Sequence, residues 1–240
     1  MSAVAEANAK HTRFTDAAWY DPNGLVITLG GAGGIGSWLA LYLTRIGYTI
    51  HLYEMDVLEE HNIGGQLYFS SSLGMTKAEA VSEVCDEMCD HARIISCGKF
   101  TPENSNVTDV VFAAFDNMAA RKMMFEAWKK HVANHEIPEA CCFIDGRMTA
   151  ETGIVFCVTP DRIEEYEKEF FDDSEVPPEP CSYKATSHNG ALISAFMLAN
   201  LLNFISNLKI GDLIFCHPYK LTYELPSMTI KTTDDASITI

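Results

Sequence analysis

The sequence predicts an α/β fold: a doubly wound, Rossmann-like, mostly parallel sheet with a mixed C-terminal extension. Short apolar runs of strand length alternate with segments whose apolar residues recur at helical spacing. A glycine-rich turn, GGAGGIG at 30–36, joins the first such run to the first helical segment. Near residue 160 the alternation gives way to an acidic, proline-containing stretch. Strands that alternate with helices require right-handed crossovers, and these produce a parallel sheet.

The elements follow in order along the chain. LVITL (25–29) is the first predicted strand, and apolar residues recur at helical spacing from Gly34 to Ile46, before Gly47 ends the helix. Further helices are predicted over Lys77 to Cys89 and Met118 to Val132. The remaining predicted strands of this part are TIHLY (49–53), ARIISC, DVVFAAF, CCFIDGRM and TGIVFCVTP.

The final third is expected to be less regular. We expect residues 161–189 to form an acidic, exposed crossover loop. An apolar helix, ALISAFMLANLLNFI, and the strand-like runs YKLTYEL and SMTIK follow this loop. The expected organisation is an N-terminal segment (1–24), a Rossmann-like nucleotide-binding domain (25–160), the loop, and a C-terminal part (190–240) that completes the same domain.

Length and composition indicate one domain in the cytoplasm. The chain has 240 residues, 48% of them apolar, so it can bury one sizeable core. No apolar run approaches the roughly 18 residues needed to cross a bilayer, and MSAVAEANAKHTR lacks the apolar core of a signal peptide. We therefore expect a soluble cytoplasmic protein without a membrane partner.

Charge and cysteine content exclude two further classes. The formal net charge is −16, whereas nucleic-acid binding depends on clustered Lys and Arg, so no nucleic-acid partner is expected. The acidity fits a soluble enzyme, a protein with a basic partner, or solubility alone. Eight cysteines without a C-x-x-C pair indicate neither a disulfide framework nor a zinc site, and no zinc is predicted.

The glycine-rich turn has the spacing of a nucleotide-binding loop. Gly31, Gly33 and Gly36 form G-x-G-x-x-G, with Gly34 between them, in the strand–turn–helix setting that lets a backbone approach phosphate. Glu54 ends the second strand, where a carboxylate accepts hydrogen bonds from ribose hydroxyls. Nucleotide binding is predicted, with a purely structural turn as the alternative. These residues do not separate NAD from ATP.

A second group of polar residues distinguishes ATP from NAD as the predicted nucleotide. These residues lie in four short motifs: an acid-x-Asp pair, HNIGGQ (61–66) at the place of an S-N-x-x-R-Q element, a G-x-x-K and a D-N-x-x-x-R. In this order they resemble the ubiquitin-activating-enzyme-like superfamily typified by ThiF and MoeB. The resemblance has motif support from about Leu25 to Arg121 and extends more weakly to about Ile205. The positions concerned are Glu54, Asp56, Asn62, Gln66, Lys77, Asp116, Asn117 and Arg121.

This resemblance implies ATP-dependent adenylation of the C-terminal carboxylate of a ubiquitin-fold or sulfur-carrier protein, with Mg²⁺. Such catalysis depends mostly on positioning and on charge neutralisation. By resemblance, Glu54 holds the ribose, Asp56 and Asp116 bind Mg²⁺, and Lys77 contacts the phosphates.

The remaining motif residues receive supporting roles by the same resemblance. Asn62 and Gln66 orient the triphosphate, and Arg121 fixes the loop that carries Asp116. Taken singly, each residue type also has an ordinary interpretation. Lys77 fits a first-turn helix residue facing water, Asp116 a helix N-cap, and Arg121 a surface partner of the residue four positions earlier.

Two positions depart from the family pattern. Gly65 stands where an arginine is expected, and His61 stands in the Ser position. Glycine cannot replace a bidentate phosphate donor, so ATP turnover is in question. Arg13 is the candidate for the arginine that relatives bring from an N-terminal segment to the partner subunit's nucleotide.

Cys181 is the candidate nucleophile for a thioester step. It ends the acidic loop, with Lys184 and His188 close in sequence to assist a thiolate. An ordinary loop thiol is the equally weighted alternative. The other cysteines singled out are interpreted as packing or core residues: Cys85, Cys89, Cys141, Cys142 and Cys157.

Three functions remain open at this point. The first is the adenylyltransferase, the second a dimerisation or binding scaffold that lost turnover with the Gly65 arginine, and the third an NAD-dependent oxidoreductase supported by the glycine loop and Glu54 alone. A homodimer is implied by the resemblance and suggested by the apolar segments ALISAFMLANLLNFI and MMFEAW. The acidic residues Glu164, Glu165 and Glu167 suggest a partner with a basic surface.

Overall fold

The computed structural model describes residues 10–89, 92–172 and 185–233. Eight strands in these ranges form one sheet in the order β3-β2-β1-β4-β5-β6-β7-β8. The first five strands along the chain pair in parallel, and the last three add antiparallel pairs, as the sequence predicts. The strands are β1 (Val26–Gly30), β2 (Thr49–Tyr53), β3 (Arg93–Gly98), β4 (Val110–Ala113), β5 (Cys142–Met148), β6 (Thr152–Val158), β7 (Lys220–Glu224) and β8 (Thr229–Thr232).

Helices connect the parallel strands and cover both faces of the sheet. The predicted helices are all present, and the last one begins at Ser187 rather than at Ala191. A capping box between Thr76 and Glu79 fixes the start of the second helix. The helices are α1 (Gly36–Arg45), α2 (Lys77–Met88), α3 (Met118–Ala133), α4 (Ile163–Tyr166) and α5 (Ser187–Ile210).

Two hydrophobic cores lie on the two faces of the sheet. Side chains of a strand alternate between faces, so Val110 and Phe112 of β4 join one core while Val111 and Ala113 join the other. Residues of α1, α2 and α5 complete the first core. Residues of α3 and α4 complete the second. The layers leave the two edges of the sheet, where strands begin and end, available for polar side chains.

The first part of the predicted acidic loop is ordered, which corrects the expectation of a long exposed connection. Residues 160–169 form short helical turns that include α4. Tyr166 is fully buried and its ring contacts those of Phe125, Phe143 and Phe156. The sequence does not reveal Tyr166 as a core residue, because the acidic residues around it occupy the outer side of the same turns.

Helix α5 is longer and more apolar than the sequence analysis expects. Its 24 residues are long and apolar enough to cross a membrane. Half of its most apolar 18-residue stretch is, however, buried inside the protein. The helix packs on α1, β5 and β6. We therefore interpret it as a core helix.

The apolar surface on which the homodimer expectation depends is partly used inside the chain. In the MMFEAW segment, Met124, Phe125 and Trp128 are fully buried. Apolar side chains remain exposed at the end of α5 and in the segment after it, namely Leu208, Ile210, Leu213, Ile214 and Phe215. The homodimer remains a prediction.

Candidate functional site

The glycine turn lies at the carboxyl edge of the sheet, directly after β1. Gly31 has a φ of +88°, and a Cβ added there would lie 2.8 Å from the Ala114 carbonyl oxygen. A Cβ on Gly36 would lie 1.9 Å from the Gly31 oxygen. By contrast, a Cβ on Gly33 would meet nothing within 4 Å. Gly31 and Gly36 therefore shape the turn, while Gly33 leaves space beside the backbone, as a nucleotide-binding loop requires.

The start of α1 faces this space without a side-chain cap. Its N-cap, Ile35, makes no side-chain capping hydrogen bond. Ser37 Oγ donates to the Gly33 carbonyl oxygen at 2.8 Å, which fixes the turn against the helix. Gly34 packs against Met148, since a Cβ added to Gly34 would lie 2.6 Å from Met148 Cε. The first amides of a helix are an anion-binding position, so this arrangement suits a phosphate.

Glu54 holds the glycine turn in place. Its Oε2 accepts a hydrogen bond from the Ala32 amide at 2.8 Å. Its Oε1 accepts from the amides of Met55 and Asp56 at 2.7 and 2.9 Å. A carboxylate offers about four acceptor positions. Three are used here, which leaves capacity for one hydroxyl of the predicted ribose.

Asp56 and Lys77 form an ion pair beside the turn. Lys77 Nζ lies 2.9 Å from Asp56 Oδ2, and the Lys77 amide donates to the Asp56 carbonyl oxygen at 2.8 Å. The Lys77 side chain is only 10% exposed, which is incompatible with a helix residue facing water, whereas that of Asp56 is 52% exposed. Lys77, the predicted phosphate contact, and Asp56, a predicted Mg²⁺ ligand, are therefore paired with each other.

The segment containing Asn62 and Gln66 is joined to the glycine-turn region by the Leu67 amide, which donates to Ser37 Oγ at 3.0 Å. Asn62 is buried, and its Oδ1 accepts from the Glu59 amide at 2.9 Å, so it folds its own loop. Gln66 Oε1 is buried and has no hydrogen-bond partner among the described residues. A buried oxygen of this kind is costly unless a ligand or water satisfies it. Two residues later, Tyr68 donates its hydroxyl to the Ala32 carbonyl oxygen, a contact that the sequence analysis missed.

Asp116 and Asn117 lie between β4 and α3. Asn117 is the N-cap of α3, since its Oδ1 accepts from the Ala120 amide at 2.8 Å. Asp116 is exposed, and its Oδ1 accepts from Asn117 Nδ2 at 3.2 Å. The N-cap role therefore belongs to Asn117 and not to Asp116. Because β4 and β2 flank β1, Asp116 and Asp56 lie on opposite sides of the glycine turn.

A comparison with protein families decides the classification. The sequence model of the ThiF family matches residues 23–237, which is nearly the whole chain. The chain belongs to the ThiF family. The glycine turn, Glu54 and Lys77 thus occupy the carboxyl edge of a ThiF-family sheet.

Solved structures with the same fold include two proteins of this ThiF-like group. A crystal structure of PaaA aligns with a TM-score of 0.72 at 15% identity, over 96% of this chain and 73% of PaaA. E. coli MccB with MccA-N7isoAsn aligns with a TM-score of 0.65 at 14% identity, over 94% and 71% of the two chains. E. coli MccB with ATP gives 0.63 at 15% identity, over 88% and 63%. No curated protein matches the sequence significantly.

Arg121, the last residue of the ThiF-like motif, is buried rather than a surface partner of Asn117. It forms an ion pair with Asp145 of β5, which is fully buried, and Nη1 lies 3.4 Å from the Ala113 carbonyl oxygen. Asp145 also accepts from Arg147 Nε at 2.6 Å and from the Tyr166 hydroxyl at 2.8 Å. Arg121 thus anchors the end of β4, just before Asp116. This network could not be predicted from the sequence, because its members lie far apart in the chain.

Arg13 lies far from the glycine turn of its own chain. His11, two residues earlier, contacts the carbonyl oxygen of Arg45 at the end of α1, with Nε2 at 3.2 Å. Because α1 begins at the glycine turn, its end lies at the opposite edge of the sheet. The structure therefore places Arg13 outside the site of its own chain, and the predicted contact with a partner subunit remains a prediction.

The five cysteines interpreted from the sequence as packing or core residues are removed from solvent in whole or in part. Cys85, Cys141, Cys142 and Cys157 are buried and Cys89 is half-buried, which confirms the sequence interpretation. Burial raises the pKa of Cys85 and of Cys141 to about 11, which disfavours a thiolate. The predicted nucleophile Cys181 and its neighbour Lys184 lie outside the described residues. His188 is exposed, with Nε2 lying 3.4 Å from Thr186 Oγ1.

Proposed function

We propose that this chain is an adenylyltransferase that uses ATP to activate a carboxylate of a peptide or protein. The observation that carries the proposal is the glycine turn, where Gly33 leaves space beside an uncapped helix start. Membership of the ThiF family supports the reaction class. The similarity to MccB, which has been solved with ATP and with MccA, supports one nucleotide and one further partner.

The residues at the turn fit ATP as a substrate. Gly33 and the first amides of α1 would hold the phosphates, and Lys77 would neutralise their charge. Glu54 has acceptor capacity for a ribose hydroxyl, and Gln66 Oε1 would accept from a bound group. ATP supplies an α-phosphate that the substrate carboxylate attacks, with pyrophosphate as the leaving group.

The Asp56–Lys77 ion pair suggests how the site would respond to phosphate. If Lys77 turned towards a bound phosphate, Asp56 would lose its partner and would be free to hold a cation. Asp116 is exposed already. Carboxylate oxygens are the ligands that Mg²⁺ prefers, so we propose Asp116 as its first ligand and Asp56 as a ligand only after this exchange.

The finer predictions concern the partner. The resemblance implies a ubiquitin-fold or sulfur-carrier protein, a homodimer and a thioester at Cys181. We keep these as proposals alongside the broader class of peptides with a free carboxylate. The oxidoreductase alternative depends on the glycine turn and Glu54 alone and gives Lys77 no role.

A scaffold without turnover is the second candidate, and Gly65 favours it. An arginine is expected there, and glycine supplies no phosphate contact. A Cβ at Gly65 would be in ordinary contact with Ala185, 3.5 Å from its carbonyl oxygen, so the position tolerates a side chain. For an impaired enzyme, we expect Gly65→Arg to raise the affinity for Mg·ATP roughly tenfold. Gly65→Ala is its control. A scaffold would bind no Mg·ATP in either form.

Pyrophosphate exchange tests the enzymatic proposal directly. Labelled pyrophosphate, Mg·ATP and the full chain are incubated with ubiquitin-fold proteins and with short peptides, each as the free acid and as the C-terminal amide. We expect exchange into ATP with at least one free acid and none with its amide. Exchange that is equal with both forms, or absent although Mg·ATP binds, would contradict adenylation of a C-terminal carboxylate.

A further inference from the structure

Four side chains that commonly bind metals meet at the amino edge of the sheet, opposite the glycine turn. Asp109 precedes β4 and Cys141 precedes β5, while His131 lies in the last turn of α3 and His135 two residues beyond its end. Their ligand atoms, one from each side chain, all lie within 4.8 Å of one another. The helix that connects β4 to β5 thus returns two imidazoles to the positions where both strands begin.

Backbone hydrogen bonds hold this cluster in place. The Asp109 carbonyl oxygen accepts from Trp128 Nε1 at 3.2 Å and from the Cys142 amide at 2.9 Å, which fixes Asp109 to both α3 and β5. His131 lies in the last turn of α3 and His135 directly follows the C-cap Asn134, and their ring centroids are 5.3 Å apart. These contacts tie the cluster to the crossover between β4 and β5.

The distances are close to those of a bound metal. Asp109 Oδ1 lies 2.8 Å from His131 Nε2 and 3.1 Å from His135 Nε2. Ligand atoms around tetrahedral zinc lie about 3.3–3.8 Å apart, given bond lengths of about 2.0–2.3 Å. Adjustments of about 1 Å would convert the cluster into that geometry. Cys141 is fully buried whereas Asp109 is 49% exposed, so the cluster is accessible to an ion from one side.

We propose that Asp109, His131, His135 and Cys141 form a binding site for a divalent transition metal of the zinc class. Imidazole and thiolate select zinc and cobalt over magnesium or calcium. The C-terminal end of a helix also carries partial negative charge, which favours a cation beside α3. The expectation of no zinc depends on the absence of C-x-x-C pairs, and these four residues are too dispersed in the sequence to form such a motif.

The four ligands are unequal. The Ile137 amide donates to His135 Nδ1 at 3.0 Å, so the His135 proton is on Nε2, facing Asp109. To bind a metal through Nε2, this proton has to move to Nδ1, and the hydrogen bond from Ile137 is lost. We therefore expect His135 to contribute less to affinity than Asp109, His131 or Cys141.

The site would stabilise the β4–α3–β5 crossover. It lies at the edge opposite the proposed nucleotide site, so its role is structural and does not depend on adenylation. A metal that binds only the folded chain raises its stability in proportion to the logarithm of metal concentration over Kd. Metal removal should therefore lower the melting temperature without abolishing the fold.

Cobalt and zinc titrations of the full chain, with any tag and bound metal removed, test the proposal. We expect the chain to bind one equivalent of Co²⁺ and to show a thiolate-to-cobalt charge-transfer band. This band should disappear when zinc displaces the cobalt. Asp109→Asn, His131→Gln and Cys141→Ser should each weaken binding more than roughly 100-fold, and His135→Gln roughly tenfold. Cys85→Ser, a buried thiol elsewhere, and His61→Gln, an exposed histidine, should bind as the wild type does.

Circular dichroism establishes that each variant is folded before its titration is interpreted. With four substitutions at separate positions, at least one folded variant keeps the test decisive. Absence of the band in the wild type, or binding that survives both Asp109→Asn and Cys141→Ser in folded protein, would overturn the proposal.

Discussion

The two edges of the sheet are organised in different ways. At the carboxyl edge, the turn at Gly33 and the start of α1 leave backbone amides beside open space, and Lys77 forms an ion pair with Asp56. At the amino edge, side chains contact one another directly, with Asp109 between His131 and His135. One edge thus suits an exchangeable anion and the other a fixed cation. Polar residues at strand ends therefore need to be judged by their unused bonding capacity.

The largest expected effect comes from the buried network beneath the carboxyl edge. Asp145→Ala leaves Arg121 and Arg147 without their shared carboxylate in a buried position. Breaking a buried ion pair costs about 3–5 kcal/mol, so we expect the free energy of unfolding to fall by that amount. Urea denaturation measures this change.

The exposed Asp161 provides the control for that variant. Its side chain is 77% exposed, so Asp161→Ala should change stability by less than about 1 kcal/mol. Equal effects of the two substitutions would show that the network adds nothing to stability.

Two glycine substitutions separate the structural from the ligand-facing part of the turn. Gly36→Ala places a Cβ 1.9 Å from the Gly31 oxygen, and we expect it to lower the free energy of unfolding by about 1–3 kcal/mol. Gly33→Ala meets no atom within 4 Å, so stability should stay within about 0.5 kcal/mol. Calorimetry should nevertheless show weaker Mg·ATP binding by Gly33→Ala. Equal losses of stability would contradict the division.

The sequence predicts the carboxyl edge far better than the amino edge. The G-x-G-x-x-G turn is contiguous, and β1, its neighbours and α1 follow from short-range periodicity. Whether Lys77 faces water or Asp56 depends on packing, as does the pairing of Arg121 with Asp145. The amino-edge cluster combines residues from two strand starts and one helix end, and only the folded crossover brings them together. Tyr166 is similarly hidden, in an acidic stretch that resembles a loop.

A buried thiol belonging to neither edge gives the smallest expected effect. Burial raises the pKa of Cys85 from 9.0 to about 11. Below pH 9 the thiol is protonated in both states and its contribution to stability is constant. Between pH 9 and 11 the unfolded chain loses this proton first, so stability falls as pH rises. Urea denaturation across this range should show a shallower fall for Cys85→Ala, and an unchanged slope would contradict the assignment.

Calorimetric titration of the full chain with Mg·ATP tests the central claim, that the carboxyl edge binds a nucleotide through Lys77. Three proteins are compared: the wild type, Lys77→Ala, and Lys231→Ala, which removes an exposed lysine on β8. We predict binding by the wild type, equal binding by Lys231→Ala, and an affinity at least roughly tenfold lower for folded Lys77→Ala, since hydrogen bonds to charged groups contribute about 1.5–3 kcal/mol. No binding by the wild type, or equal binding by Lys77→Ala, would contradict this account.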